Sequence, residues 1–449
     1  MSPETLTVSI EKLVLGGFGL GRLANGIVVL VPHVLPGESV CVSPTITKKK
    51  YIHGSLVEVL EPSPDRTTPP CPYYGSCGGC DLQHIKTEKQ TDLKNDMLRE
   101  HMIRSGIISA KDSYLLHPPI PPEKSFGYRQ RIRLHVDDSG RLGYHYHHSH
   151  ETTPVGSCLL AVPRINDVLA KVLKTDQLTH LVQQKITNIE FQYSQFDDQV
   201  VLLCTAQKKQ RAADIQAAQQ LVDHIEGIKA LIFTPKGFQT QAVTAGDRLF
   251  SEGVQLGCIQ DTGEDIPLRL QFEAGGFCQV NQDQNAQLIS LLMQWTALSG
   301  KERVLDLYCG MGNFSLALAQ KGGEVVGVDL KRASIRSAKK NAAANHIAHC
   351  HFIQKSAGEA IKEYANAEEQ FDLVLLDPPR QGCKEVIPYL PDIGAQYVVY
   401  ISCDPATLSR DLSLIKEYGY RIMKMQMIDM FPQTHHMETI VELMRVPHL

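Results

Sequence analysis

Short, nearly continuous apolar runs recur from about residue 300 towards the C-terminus: RVLDLYC, EVVGVDL, CHFIQK, FDLVLLDPP and QYVVYISC. Stretches with helical spacing separate them. Strands that are apolar on both faces are parallel strands covered by helices on either side. Two further runs, RIMKMQMIDM and ETIVELMRV, are joined by FPQTHHM with no helical stretch between them. This spacing predicts a hairpin, with the last strand antiparallel to the rest. The expected fold class is α/β, built on a C-terminal doubly wound, Rossmann-like sheet.

The N-terminal pattern is different. LTVSIEKLVL, GIVVLVPHVL, ESVCVSPTI and HGSLVEVLEP read as short strands punctuated by Gly16, Gly17, Gly19, Gly21 and Pro36-Gly37. Short strands with such turns predict a small OB-like β-barrel over residues 1–62. The run GGFGLG lacks the following helix that a nucleotide-binding loop requires, so it reads as a turn cluster. EPSPDRTTPP is a connector. A helix is expected over about 83–105, with Leu93, Met97, Leu98 and Met102 on the side that packs on the C-terminal unit. Residues 126 to about 265 alternate strands with one or two helices. The expected units are 1–62, a central α+β unit 63–265 carrying a cysteine cluster, and 266–449.

Net charge is −4, which excludes a protein coated in basic charge for non-specific nucleic-acid binding. Two local clusters remain as candidate RNA contacts: Lys48, Lys49 and Lys50, and Arg129, Arg131 and Arg133 in YRQRIRL. Period-two spacing would put those arginines on one face of a strand. MSPETLTVSIEKL has no basic segment leading into a long apolar run, and Ile27–Val31 is far too short to span a bilayer. A cytoplasmic protein with no membrane partner is the expectation.

Candidate chemistry collects where the C-terminal strands end, the edge at which doubly wound sheets bind ligands. Asp306 to Phe314, in DLYCGMGNF, follows the first strand and opens a helix, and Asp329 ends the second strand. A carboxylate there can accept both hydroxyls of a ribose, so S-adenosylmethionine (SAM) is the preferred ligand over a nucleotide. Cys403 ends QYVVYISC just before Asp404-Pro405, which reads as a helix N-cap and first turn. A helix N-terminus favours a thiolate, so Cys403 is a candidate nucleophile. Asp377, in DPPR, ends another strand and is a candidate positioning group. Glu438 opens the returning strand of the hairpin at the same edge and is a candidate base, with His435 and His436 as competitors.

Twelve cysteines in such a chain are mostly reduced thiols. Cys71, Cys77 and Cys80 stand apart as three thiols in one loop around Gly78-Gly79, and Cys158 is the best-placed fourth ligand. Spacing alone leaves zinc and an iron–sulfur cluster both open.

Together, FCQVN, DLYCGMGNF, LDPPRQG, SCDPATLSRDL and HHMETIVEL resemble the RNA uracil-5-methyltransferase family, and the resemblance covers nearly the whole chain. It implies SAM-dependent methylation of uracil C5 in 23S ribosomal RNA, with uridine 1939 as the suggested position. Cys403 would be the nucleophile towards C6 and Glu438 the proton acceptor. Implied SAM contacts are Gln279, Tyr308, Asn313, Asp329 and Asp377. Asp329 stands where a glutamate is common. Ser356 occupies a further contact position, where an amide or acid is common. The resemblance also implies a TRAM domain for the barrel and a 4Fe–4S cluster on Cys71, Cys77, Cys80 and Cys158. No stable protein partner is implied.

Overall fold

The computed structural model describes residues 5–147, 149, 151–237, 239–244, 254–264, 266–321 and 323–446. Residue 265, where the sequence pattern ends the central unit, lies outside them.

A closed barrel comes first, formed by β1 (Leu6–Val14), β2 (Phe18–Arg22), β3 (Val28–Val31), β4 (Ser39–Thr47) and β5 (Tyr51–Glu61). Alternation puts Val8, Ile10, Val29, Val31, Val40, Val42 and Ile52 inside it. The GGFGLG run is the β1–β2 turn and its flank. Gly16 and Gly17 have φ of +93° and +77°, and a Cβ on Gly21 would lie 2.3 Å from the Ser9 carbonyl oxygen. Glycine is therefore required here by a tight turn and by close strand packing.

After the connector come α1 (Thr87–Arg104) and β6 (Leu116–Ile120). Met97, Leu98 and Met102 of α1 join the apolar core of the C-terminal sheet, while Leu93 packs at its margin. A seven-stranded sheet follows, containing β7 (Arg131–Val136), β8 (Leu142–His145), β9 (Thr152–Pro154), β10 (Ile186–Ser194), β11 (Gln199–Ala206), β12 (Ile228–Pro235) and β13 (Gln241–Thr244). It is backed by three helices, α2 (Pro163–Val172), α3 (Asp176–Gln183) and α4 (Ala212–His224), rather than one or two. The hairpin β14 (Gln255–Gln260) and β15 (Leu268–Glu273) shares a core with α5 (Gln282–Thr296). That hairpin straddles the expected boundary at 265 and packs against both sides of it, sharing its core with α5 and with Val201, Leu203, Ala230 and Ile232 of the central sheet.

The remaining elements are β16 (Arg303–Leu307), α6 (Asn313–Gln320), β17 (Glu324–Asp329), α7 (Arg332–Ala344), β18 (Cys350–Gln354), α8 (Ala357–Asn366), β19 (Leu373–Leu376), β20 (Tyr397–Ser402), α9 (Pro405–Glu417), β21 (Tyr420–Ile428) and β22 (Glu438–Arg445). They form the doubly wound sheet in the order β18-β17-β16-β19-β20-β22-β21-β6. Strands β16 to β20 pair in parallel, and β22 is antiparallel to both β20 and β21. This is the Rossmann-like fold with terminal hairpin that the hydrophobic pattern predicts. One strand has no counterpart in that pattern: β6, from far upstream, adds in parallel to the β21 edge. No described helix is long and apolar enough to cross a membrane.

Candidate active site

The β16–α6 turn is wound tightly around the end of β17. Tyr308 sits at φ +71°, and Gly310 and Gly312 are also left-handed. A non-glycine residue persists there only where its surroundings over-determine it. The amides of Tyr308 and Cys309 both donate to the Val328 carbonyl, at 2.9 and 3.0 Å. Asp329 accepts from the Gly310 amide (3.0 Å) and the Lys331 amide (2.7 Å), and remains half-buried. Its carboxylate is thus fixed by backbone donors and faces the turn.

Other expected donor-site residues are committed in different ways. Asn313 exchanges two amide hydrogen bonds with Asn285, each 3.0 Å. The Tyr308 hydroxyl donates to Glu385 (2.9 Å). Gln279 is buried, and its backbone carbonyl accepts from the Gln282 side-chain amide (2.9 Å). Ser356 is the N-cap of α8: its hydroxyl accepts from the Glu359 amide (3.3 Å) and donates to the Glu359 carboxylate (2.6 Å). That capping box accounts for a serine at this position without a ligand. Asp306 carries no role in the sequence beyond opening a motif, yet it is fully buried and takes a hydrogen bond from Ser315. Burial, with Asp377 and Asp329 nearby, pushes its carboxyl up to about 8.

Cys403 and Glu438 are brought together by sheet register. Ser402, the last residue of β20, pairs with Thr439, the second residue of β22. The next residue along β20 and the preceding one along β22 are Cys403 and Glu438. Asp404 caps α9, accepting from the Thr407 amide at 2.7 Å, and Pro405 opens the helix. Glu438 is only 5% exposed. Burial raises its carboxyl well above the usual range, with a further push from Asp377. Burial likewise raises half-buried Asp377 to about 7.

The thiol does not follow the expectation from the helix N-terminus. Burial, reinforced by Glu438 and Asp377, pushes Cys403 up to about 11, although Arg380 hydrogen-bonds it and pulls the other way. Three acidic groups in one partly desolvated corner outweigh a helix end and one guanidinium. Arg380 is a site residue that the sequence marks only by standing after Asp377-Pro378-Pro379. His435 is bound through Nδ1 to Asp81 (2.7 Å), and burial lowers His436 to about 4.

Arg129, Arg131 and Arg133 do not share one exposed strand face, because β7 begins only at Arg131. Arg129 lies before the strand, hydrogen-bonds the Tyr128 hydroxyl (3.4 Å) and turns into the cysteine pocket. Arg131 and Arg133 both ion-pair with buried Glu190, at 2.8 and 2.7 Å. Lys48, Lys49 and Lys50 are exposed at the β4–β5 tip, beside exposed Ile46 and Tyr51.

Cys71, Cys77, Cys80 and Cys158 line one pocket with Arg129, Tyr144 and Gln83. Burial raises the Cys77 thiol to about 11 and Cys80 to about 12. Asn166 pins the Cys158 backbone with hydrogen bonds of 2.8 and 2.9 Å. Among the described residues, no group of three or more His, Cys, Asp or Glu side chains is gathered so as to hold a metal ion. The thiols share a pocket but do not, as they stand, form a ligand set.

A model of the family described as tRNA (uracil-5-)-methyltransferase matches residues 120–446. The chain belongs to this family. It is an RNA uracil-5-methyltransferase, and a TRAM domain model matches its residues 2–57. This uracil-5-methyltransferase is 32% identical to 23S rRNA (uracil(1939)-C(5))-methyltransferase RlmD of Shewanella denitrificans, over 98% of its own chain and 96% of the relative. It is 33% identical to RlmD of Vibrio parahaemolyticus, covering 96% and 94% of the two chains. An uncharacterised RNA methyltransferase of Caldanaerobacter subterraneus is 31% identical, covering 99% and 98%. Among solved structures, the tRNA (uracil-54, C5)-methyltransferase of Pyrococcus abyssi, in complex with S-adenosyl-L-homocysteine, superposes with a TM-score of 0.71. That match is 21% identical and covers 97% of the uracil-5-methyltransferase and all of the archaeal chain, so it shares the fold.

Proposed function

We propose that this enzyme methylates C5 of one uridine in 23S ribosomal RNA, the uridine-1939 position in the names of its relatives, with SAM as donor. The observation that carries the mechanism is the Ser402–Thr439 register, which sets a thiol and a buried carboxyl side by side at the donor edge of the sheet. SAM supplies an electrophilic methyl on a sulfonium. Uracil C5 is a poor nucleophile, so Cys403 adds as thiolate to C6, and C5, now enolate-like, takes the methyl as the S–CH3 bond breaks and S-adenosyl-L-homocysteine leaves. Glu438 as carboxylate then removes the C5 proton, the C6–S bond breaks, and the thiolate is regenerated. Burial shifts both Cys403 and Glu438 towards their neutral forms in the free protein. Beside a sulfonium cation each ionises more readily, because an opposite charge favours the charged form. Asp377 and Arg380 position this pair, and Gln279, Tyr308, Asn313 and Asp329 line the donor side, with Ser356 capping α8.

A thiolate approaches C6 perpendicular to the ring, so the target base has to leave its stack. Holding such RNA falls to Lys48, Lys49 and Lys50 on the barrel, with Arg133, whose side chain is 55% exposed, contributing what charge Glu190 leaves over. The cysteine pocket suits a 4Fe–4S cluster in its chemistry. It offers four thiols and no carboxylate, and half-buried Arg129 offsets anionic charge. Cys71, Cys77, Cys80 and Cys158 would hold the group, tying two loops together. A cytoplasmic setting follows from a ribosomal RNA substrate.

Mass mapping of 23S ribosomal RNA from cells lacking the protein tests the reading. One uridine should lose its C5 methyl group and regain it when purified protein and SAM are added. A methyl lost instead from a tRNA uridine, or no loss at all, would overturn it.

A further inference from the structure

The loop between β21 and β22, which ends at Glu438, is gripped from outside the catalytic sheet. Gln433 stands in this loop at φ +70°, a backbone region that residues with a Cβ adopt only under constraint. Its carbonyl accepts from the amides of Asp81 (3.0 Å) and Leu82 (3.1 Å), the two residues after Cys80. Its amide donates to Gln90 Oε1 (3.0 Å), and its side-chain oxygen accepts from Gln90 Nε2 (2.9 Å). Gln90 in turn donates to the carbonyls of Leu82 and Ile85, at 3.1 and 3.0 Å.

One turn along α1, Lys94 has no exposed side-chain surface and pairs with Asp429 at 2.7 Å. The same ammonium donates to the carbonyls of Phe431 (2.9 Å) and His436 (3.0 Å), so it spans the loop from its start to two residues before Glu438. Thr91 adds a hydrogen bond to Asp429 (3.0 Å). Asp81 accepts from the amide and the ring of His435, at 3.2 and 2.7 Å. A buried cation whose three donors all serve one loop is an expensive device for mere packing, since each group must be fully partnered.

We propose that the start of α1 and the segment after Cys80 form a clamp that sets the position of Glu438, with Gln90 and Lys94 as positioning residues for removal of the C5 proton. The proposal rests on Glu438 being the base. The clamp grips the loop before Glu438, whereas Cys403 is placed by β20 and the cap of α9, and the donor side by the β16–α6 turn. Loosening the clamp should therefore damage the last chemical step more than the first two. It also gives the cysteine loop a route to the chemistry, through Asp81 and Leu82, that needs no electron transfer.

The test uses full-length Gln90→Leu and Lys94→Met proteins with SAM and a 23S rRNA fragment bearing the target uridine. Single-turnover methyl transfer, KM for SAM and covalent protein–RNA adduct on denaturing gels are measured alongside Glu438→Gln. A displaced base costs on the order of 10–100-fold. The clamp variants should lose about that much steady-state turnover, with methyl transfer and KM for SAM nearly unchanged and a methylated adduct accumulating. Unchanged turnover, or methyl transfer falling as far as release, would overturn the clamp. Were either variant to unfold, Gln433→Gly decides, because glycine accepts that φ without strain and only the side-chain link to Gln90 is removed. If Glu438→Gln accumulates no adduct, the base assignment fails and the clamp with it. If Glu438→Gln does accumulate adduct while folded clamp variants do not, only the clamp fails.

Discussion

Ser402 and Thr439 face each other across the β20–β22 ladder, and that single register puts Cys403 and Glu438 at the same edge of the sheet. A one-residue slip would turn every side chain of β22 to the opposite face. The register is fixed by burial: Val398, Tyr400, Ile401, Ile440, Val441 and Leu443 are all fully enclosed. Catalytic geometry is thus inherited from core packing.

Glu438→Gln should stall after methyl transfer. The amide keeps the size of the buried side chain but cannot take a proton, so protein joined to methylated RNA should build up on denaturing gels. Continued turnover without adduct would assign the base elsewhere.

The state of Cys403 predicts a pH dependence. Its thiol is raised to about 11 in the free protein, so the thiolate fraction at neutral pH is small and grows about tenfold per pH unit below that value. Alkylation of the Cys403 peptide, followed by mass spectrometry, should rise with pH across the range of about 7 to 10. Arg380→Gln removes the group that pulls the thiol down, and should slow alkylation at every pH in that range. Equal rates with and without Arg380 would remove it from the site.

Much of this is legible in the chain because the C-terminal strands are buried on both faces and turn motifs punctuate them. The hairpin spacing alone implies that Glu438 returns to the edge where Cys403 ends. Long-range polar partners are not legible. Gln90 and Lys94 look like surface residues of an amphipathic helix, yet their partners lie 343 and 335 residues away. Strand β6 escapes notice for the same reason, since LHPPI carries two prolines and pairs only with a distant edge. The arginines mislead because the period-two argument holds only within a strand, and β7 starts after Arg129.

RNA affinity should separate the two basic clusters. Replacing Lys48, Lys49 and Lys50 together with alanine removes exposed charge without touching the barrel core. The slope of log affinity against log salt should fall by about 2 units, from roughly 0.7–0.9 for each phosphate that the lysines no longer neutralise. Arg131→Met should leave that slope nearly unchanged and lower stability instead, because it strips a partner from buried Glu190. Melting curves and salt titrations of both variants check this, and the reverse pattern would move the RNA to the β7 face.

Anaerobically purified protein should be brown and contain iron and sulfide, and Cys77→Ser should lose both colour and metal. Ligation by thiolates releases protons, so loading should weaken as pH falls. Stoichiometric zinc without iron in the wild-type protein would replace the cluster assignment.

The most direct test of the account is covalent capture by RNA carrying 5-fluorouracil at the target position. After Cys403 adds to C6 and C5 is methylated, fluorine cannot leave as a proton does, so the thioether persists. Wild-type protein with SAM should form a denaturant-resistant complex whose digestion yields the Cys403 peptide joined to the methylated, fluorinated base. Cys403→Ala should bind SAM normally, form no complex and methylate no uridine. Normal methylation by Cys403→Ala, or an adduct mapped to another cysteine, would contradict the account.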